Sequence, residues 1–289
     1  MPVAGAGRLG RPPAFTPRAI VADAANPGRA SARGGTPPQR LDPDEDAVVR
    51  LSAAPAGGRA TAVGRVMLKI GAERIPVEMT VPAGFVAVEE VLPIVHGLSS
   101  LFATRATARA EADGRKISCR AGCGACCRQL VPVAPAEARA LARLVEAMPE
   151  PRRQRVRRRF DAALDALEPS GLMERLDQNR DDRQLIAREY FAAGVACPFL
   201  EEEACSIHAN RPLSCREYLV TSPPDLCAAL SPGIEKVTLE ARPSLALLNA
   251  DLREGWLPLV LALVQDAQAP PSPRDRPAAD ILKDVIAAL

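Results

Sequence analysis

Aromatic side chains make up only 3% of this 289-residue chain, and histidine occurs twice. The net charge is +2, from 37 basic and 35 acidic residues, which gives no electrostatic reason to expect a polyanionic partner. No apolar run is long enough to cross a membrane. The longest, Trp256 to Val264, is interrupted by Pro258, whereas a spanning helix needs about twenty residues. The N-terminus lacks the apolar core of a secretion signal, because Arg8, Arg11, Pro12 and Pro13 break it. No P-loop, dinucleotide-binding glycine fingerprint, nucleophile elbow or H-E-x-x-H motif occurs, so neither a nucleotide site nor a hydrolytic triad is expected. The composition also excludes collagen, a coiled-coil rod and a wholly disordered chain.

Cysteine is what the chain does have: eight residues, in two groups. The first is Cys119-Arg-Ala-Gly-Cys123-Gly-Ala-Cys126-Cys127; the second is Cys197, Cys205, Cys215 and Cys227. The expected compartment is the cytoplasm, where thiols stay reduced and such a cluster points to metal rather than to disulfides. Small residues Gly122, Gly124 and Ala125 let the backbone curl around an ion. Asn210 is expected to cap a short helix with Pro212 in its first turn. Cys215 would then sit where the helix dipole, Arg211 and Arg216 favour a thiolate. Adjacent side chains such as Cys126 and Cys127 rarely reach one ion, so eight thiols suggest more than one mononuclear site or one multinuclear cluster. Thiolate spacing does not separate zinc from a [4Fe–4S] cluster. Cys123-Gly-Ala-Cys126 also reads as a redox dithiol, but no thioredoxin-like βαβ pattern surrounds it. The spacing Cys119-x3-Cys123-x2-Cys126 matches radical-SAM enzymes too. Ala125 stands where those enzymes place an aromatic, and no alternating strands accompany it.

The pattern C-x3-C-x2-C-C, then C-P-F-L from Cys197, then C-x-I-H-x-x-R-P-x-x-C-R-x-Y from Cys205 to Tyr218, resembles the YkgJ-type cysteine-cluster family, the zinc- or iron-chelating CxxCxxCC proteins. The resemblance covers about residues 115 to 220. It implies a small cytoplasmic metal-binding domain whose biochemical role is mostly unassigned. Flagellin lysine-N-methylases share a similar cluster, so an iron–sulfur-dependent enzyme is the alternative, and whether the chain is an enzyme stays open. The expected ligands are Cys119, Cys123, Cys126, Cys127, Cys197, Cys205 and Cys215, holding zinc or iron. Cys227 lies outside the family's core pattern and reads as a buried small side chain. His208 is expected to hydrogen-bond a ligand rather than to bind metal, and His96 to be a packed helix residue.

Around the cluster the chain reads as mainly α, with a small helical cysteine-cluster domain, an N-terminal β-hairpin and a disordered N-terminal tail. Residues 1–58 form the Pro/Gly/Arg-rich tail; 8 Pro and 6 Gly fall in residues 1–45. Residues 59–84 form the hairpin, with Ile75, Val77, Met79 and Val81 alternating, and Pro76 marking an edge strand. Residues 85–230 hold the metal-binding domain and 231–289 a C-terminal helical segment. Helical stripes run through Val95, Leu98, Leu101 and Phe102; Leu141, Leu144, Val145 and Met148; Val156, Phe160, Leu164 and Leu167; and Leu185, Ile186 and Tyr190. Two more follow: Leu257, Val260, Leu261 and Val264, then Ile281, Leu282, Val285 and Ile286. The basic run from Arg152 to Arg159 reads as a solvated helix face, and Glu201–Glu203 as an exposed turn. A metal ion is the expected partner; neither membrane nor nucleic acid is.

Overall fold

The computed structural model describes residues 48–54, 58–172, 183–250, 255–264 and 273–289. The expected tail lies outside the described residues as far as residue 47. Val49–Ser52, within the span read as tail, forms a strand, β1. It lies parallel to β3 (Glu73–Pro82), which pairs antiparallel with β2 (Thr61–Ile70), giving the order β1-β3-β2. The expected hairpin is β2–β3. The strand carrying Pro76 is central in this sheet rather than an edge. Pairing with β1 begins only at Val77, however, so the sheet is open on that side at the proline.

One face of β3 presents Ile75, Val77, Met79 and Val81, all buried. They pack on α1 (Leu92–Ala112), on helix Pro243–Ala250 and on helix Ala278–Ala287. The far face of α1 carries Ala103, Ala106 and Ala110 against Leu219 and Val237. Helix α1 is therefore buried on two sides, between the sheet and the segment that follows Cys215. The hairpin and the C-terminal helix share one core, and Phe85–Val86 pairs with Arg276–Pro277.

A second core forms under α2 (Pro135–Glu146) and α3 (Glu150–Leu167). Val133, Leu141, Val145, Val156 and Phe160 meet Phe199, Ile207 and Leu259, and Cys197, Cys205 and Cys215 pack against them. The Phe160 and Phe199 rings meet edge to face, 5.4 Å between centroids. The stripe at Leu185, Ile186 and Tyr190 falls on helix Arg183–Ala192; Ile186 and Tyr190 point inward as expected, whereas Leu185 is exposed. The stripe at Leu257 to Val264 is not one helix. Leu257–Pro258 pairs with Pro132–Val133, and a 3-10 turn Leu259–Leu261 follows, because Pro258 has no N–H for a continuing helix. Among the described residues no helix is long and apolar enough to cross a membrane. The described residues form a mixed arrangement of helices and small sheets rather than a purely helical one.

Candidate metal centre

The first cysteine group lies on a run of tight turns. Cys123 N–H donates to Arg120 O (3.1 Å), with Gly122 at φ +80°, the third position of a type II turn, which a side chain would strain. Cys127 N–H then donates to Gly124 O (2.9 Å) and Gln129 N–H to Cys126 O (3.0 Å). A Cβ on Gly124 would stand 2.7 Å from Glu203 O and 2.7 Å from Leu200 Cδ1, so only glycine lets the next hairpin approach.

That hairpin pairs Leu200–Glu201 with Ala204–Cys205 and carries Cys205. Glu202 (φ 50°) and Glu203 (φ 57°) at its tip occupy the left-handed region, an unfavourable place for glutamates. Arg128 grips the Glu203 carboxylate with both Nη atoms, at 3.0 and 2.7 Å. From behind, Arg152 donates to Ser206 O (2.8 Å) and Arg159 to Glu201 (2.8 Å). Part of the basic run thus braces this loop. The two cysteine groups are joined directly where Cys197 N–H donates to Cys127 O at 2.7 Å.

Cys215 lies on the four-residue helix Leu213–Arg216. Asn210 is not its cap; the flanking residue is Pro212, which has no capping side chain. The acceptor comes from α2 instead. The fully buried Glu137 accepts the Leu213 N–H through Oε1 (2.7 Å) and its own helix's Ala134 N–H through Oε2 (3.0 Å). Burial foremost raises the Glu137 pKa to about 7. Ser214 Oγ donates to Pro132 O (2.7 Å), fixing the other side of the turn.

Six thiols line one internal space of about 50 Å³: Cys123, Cys126, Cys127, Cys197, Cys205 and Cys215. A second space of about 20 Å³ adjoins it, lined by Cys119, Cys123, Cys126 and Cys227 with Tyr218 and Val220. All seven cysteines singled out by spacing lie along these two cavities, and all eight in the chain are free thiols. Cys227, read from the sequence as a packed side chain, is buried with Cys126, Tyr218 and Val220 as expected, and it also lines the smaller cavity. The spacing gave no sign of it, since Cys227 falls beyond the recognised pattern. The Tyr218 hydroxyl lies 3.9 Å from Cys227 Sγ, and Gln129 Nε2 donates to Cys227 O at 3.1 Å.

The larger cavity also holds Arg211, which is 4% exposed. Its Nε and Nη2 are buried without a hydrogen-bond partner among the described residues, and so is His208 Nε2. The hydrogen bond expected of His208 is therefore not made here. Burial foremost, opposed in part by Cys215 and other thiols, lowers the Arg211 pKa to about 10. Cys215 does not have the lowered pKa expected of it. Burial, then repulsion from Cys197, Cys127 and Cys205, holds its thiol well above the ordinary value, and Arg211 only partly opposes this. Burial foremost raises Cys197 and Cys205 as well. The contact between Cys126 and Cys127 raises Cys126 and lowers Cys127, and Arg128 and Arg211 assist the latter.

The donor chemistry suits a thiophilic ion. Soft sulfur ligands select zinc, copper(I) or iron–sulfur centres. A buried guanidinium with two unpartnered nitrogens is costly beside neutral thiols, and it complements the net negative charge of a metal–thiolate group. Among the described residues no three Cys, His, Asp or Glu side chains already converge as a closed ligand set.

A third cavity, about 360 Å³, is lined by no cysteine; it lies between α1 and α2 and includes Glu89, His96 and Glu137. Its acids are engaged, Glu89 by the buried Arg139 and Glu137 by two backbone N–H groups. Burial foremost, with Arg216 assisting, lowers the His96 pKa to about 3, and the half-buried ring lines this cavity rather than packing fully into the core.

Residues 118–233 match a family model described as CxxCxxCC, a "putative zinc- or iron-chelating domain". No curated protein and no solved structure matches the chain. The match agrees with the resemblance read from the cysteine spacing and supports a metal-binding cysteine-cluster protein, in which this segment carries the cluster.

Proposed function

We propose that Cys127, Cys197, Cys205 and Cys215 hold a zinc or iron ion as a thiolate centre in the larger cavity. One observation carries this reading: thiols from both halves of the cluster line the cavity that holds the buried Arg211, whose Nε and Nη2 have no hydrogen-bond partner among the described residues. Four thiolates on a divalent ion leave a net charge of about −2, which that cation balances. Eight free thiols favour a reducing compartment, and we assign the protein to the cytoplasm. The centre closes a chain excursion of 69 residues between Cys127 and Cys197, so binding the ion contributes to folding.

A second reading, an iron–sulfur centre and with it an enzyme, has one observation in its favour. The larger cavity is lined by six thiols, more than a tetrahedral ion uses.

Elemental analysis of protein purified without oxygen separates the readings. Zinc without visible absorption supports the mononuclear centre, and iron with sulfide and a brown colour supports the cluster. In either case chelation should expose Cys197–Cys227 to protease while Leu141–Leu167 stays protected. Reduced protein that carries neither metal and takes up neither on titration overturns the proposal.

A further inference from the structure

We infer that Cys119, Cys123, Cys126 and Cys227 form a second, mononuclear four-thiolate site beside the Cys127, Cys197, Cys205 and Cys215 set. This deepens the reading above and rests on it, because it divides the thiols between two ions and recruits Cys227.

The first argument is the division of the walls. Cys119 and Cys227 line only the smaller cavity, whereas Cys127, Cys197, Cys205 and Cys215 line only the larger one. Cys123 and Cys126 border both. A tetrahedral ion needs four donors. The larger cavity has four without the shared pair, and the smaller cavity reaches four only with it. Burial supports the same split. Cys126 packs with Tyr218, Val220, Cys227 and Cys119, while Cys197, Cys205 and Cys215 pack with Phe199, Ile207 and Leu259. The boundary falls at the Cys126–Cys127 peptide, where successive side chains belong to different sets.

The second argument is size. A site for one water needs at least about 10–15 Å³ on this measure. The smaller space, about 20 Å³, is enough for one ion. The larger, about 50 Å³, has room beyond a single ion.

The third argument is that the smaller site is built for sulfur. Val220 N–H points at Cys119 Sγ (3.4 Å), and Ser118 N–H donates to Val220 O (2.9 Å), so the Cys119 segment is laced to the strand-like run that bears Tyr218. Tyr218 lies beside Cys227, and the buried Gln129 amide, three residues after Cys126, fixes the Cys227 backbone. Directed N–H and O–H groups stabilise thiolate sulfur and orient the ligands. Closing the site needs the loss of four thiol protons, which leave to solvent as the divalent ion binds.

The test uses the full reduced chain titrated with Zn²⁺, and with Co²⁺ for its tetrahedral thiolate spectrum. Intact-mass stoichiometry should give about two ions per wild-type chain. Cys119→Ala and Cys227→Ala should each remove about one and leave the other ion bound; Cys205→Ala and Cys215→Ala should remove the complementary one. Cys227→Ala with full metal content overturns the inference. So does loss of all metal from every variant, since that means one shared polynuclear centre; the metal-binding reading survives both. A wild-type chain that binds one ion overturns the second site alone, and one that binds none overturns both readings. Where a variant fails to fold, a wild-type stoichiometry below two still overturns the second site.

Discussion

Replacing Glu137 should destabilise the protein by an amount that shrinks as pH rises. The carboxylate accepts two buried backbone N–H groups, from Ala134 and from Leu213 at the start of the Cys215 turn. Glu137→Ala leaves both donors unsatisfied, each costing about 1–3 kcal/mol. Against this stands the burial of the charge. A carboxyl whose pKa rises from 4.5 to about 7 on folding stabilises the folded state fully below its unfolded pKa. That contribution is lost as pH climbs through the folded pKa, a difference of about 3 kcal/mol. Near pH 5 the substitution should therefore cost about 2–6 kcal/mol, and near pH 8 about 3 kcal/mol less. Glu137→Gln keeps one acceptor, so it should cost about half as much near pH 5 and show the same narrowing. Urea unfolding of metal-free, reduced protein, followed by the fluorescence of the single tryptophan, Trp256, measures this directly. Glu217, also buried with a raised pKa, repels the Glu137 carboxylate, so that repulsion is part of the narrowing and is lost with the side chain. A cost that is the same at both pH values, or that grows with pH, would refute the reasoning.

Gly124→Ala should push the Cys205 hairpin off the Cys126–Cys127 turns, costing about 1–3 kcal/mol and weakening zinc retention in a chelator competition. Glu202→Gly should do the reverse for the hairpin, stabilising it by about 1 kcal/mol in thermal unfolding, because glycine occupies the left-handed region without strain. Arg211→Met should split the two forms: the metal-free protein gains stability by relief of a buried, unpartnered cation, while zinc affinity falls about tenfold or more. Equal stability of metal-free Arg211→Met and wild type, with unchanged affinity, would remove the electrostatic role assigned to that guanidinium.

What the sequence alone determined is what depends on near neighbours. The loop 119–127 was legible because Gly122 and Gly124 sit where a turn and a close approach demand them. Helices α1 to α3 and the alternation on β3 followed from periodicity, which is a property of consecutive residues. The donor chemistry was written in the cysteine spacing. Packing alone decided the rest. Cys227 reaches Cys119 and Cys123 across about a hundred residues because the 118–119 segment pairs with 220–221. The partner of Leu213 N–H is Glu137, 76 residues away, where local sequence suggested Asn210. The Cys215 thiol is governed by burial, which outweighs the adjacent arginines, and the depth of a side chain is set by which cores close over it. Buried polar groups take whatever partner the fold brings within reach, and that choice has no signature in the residues beside them.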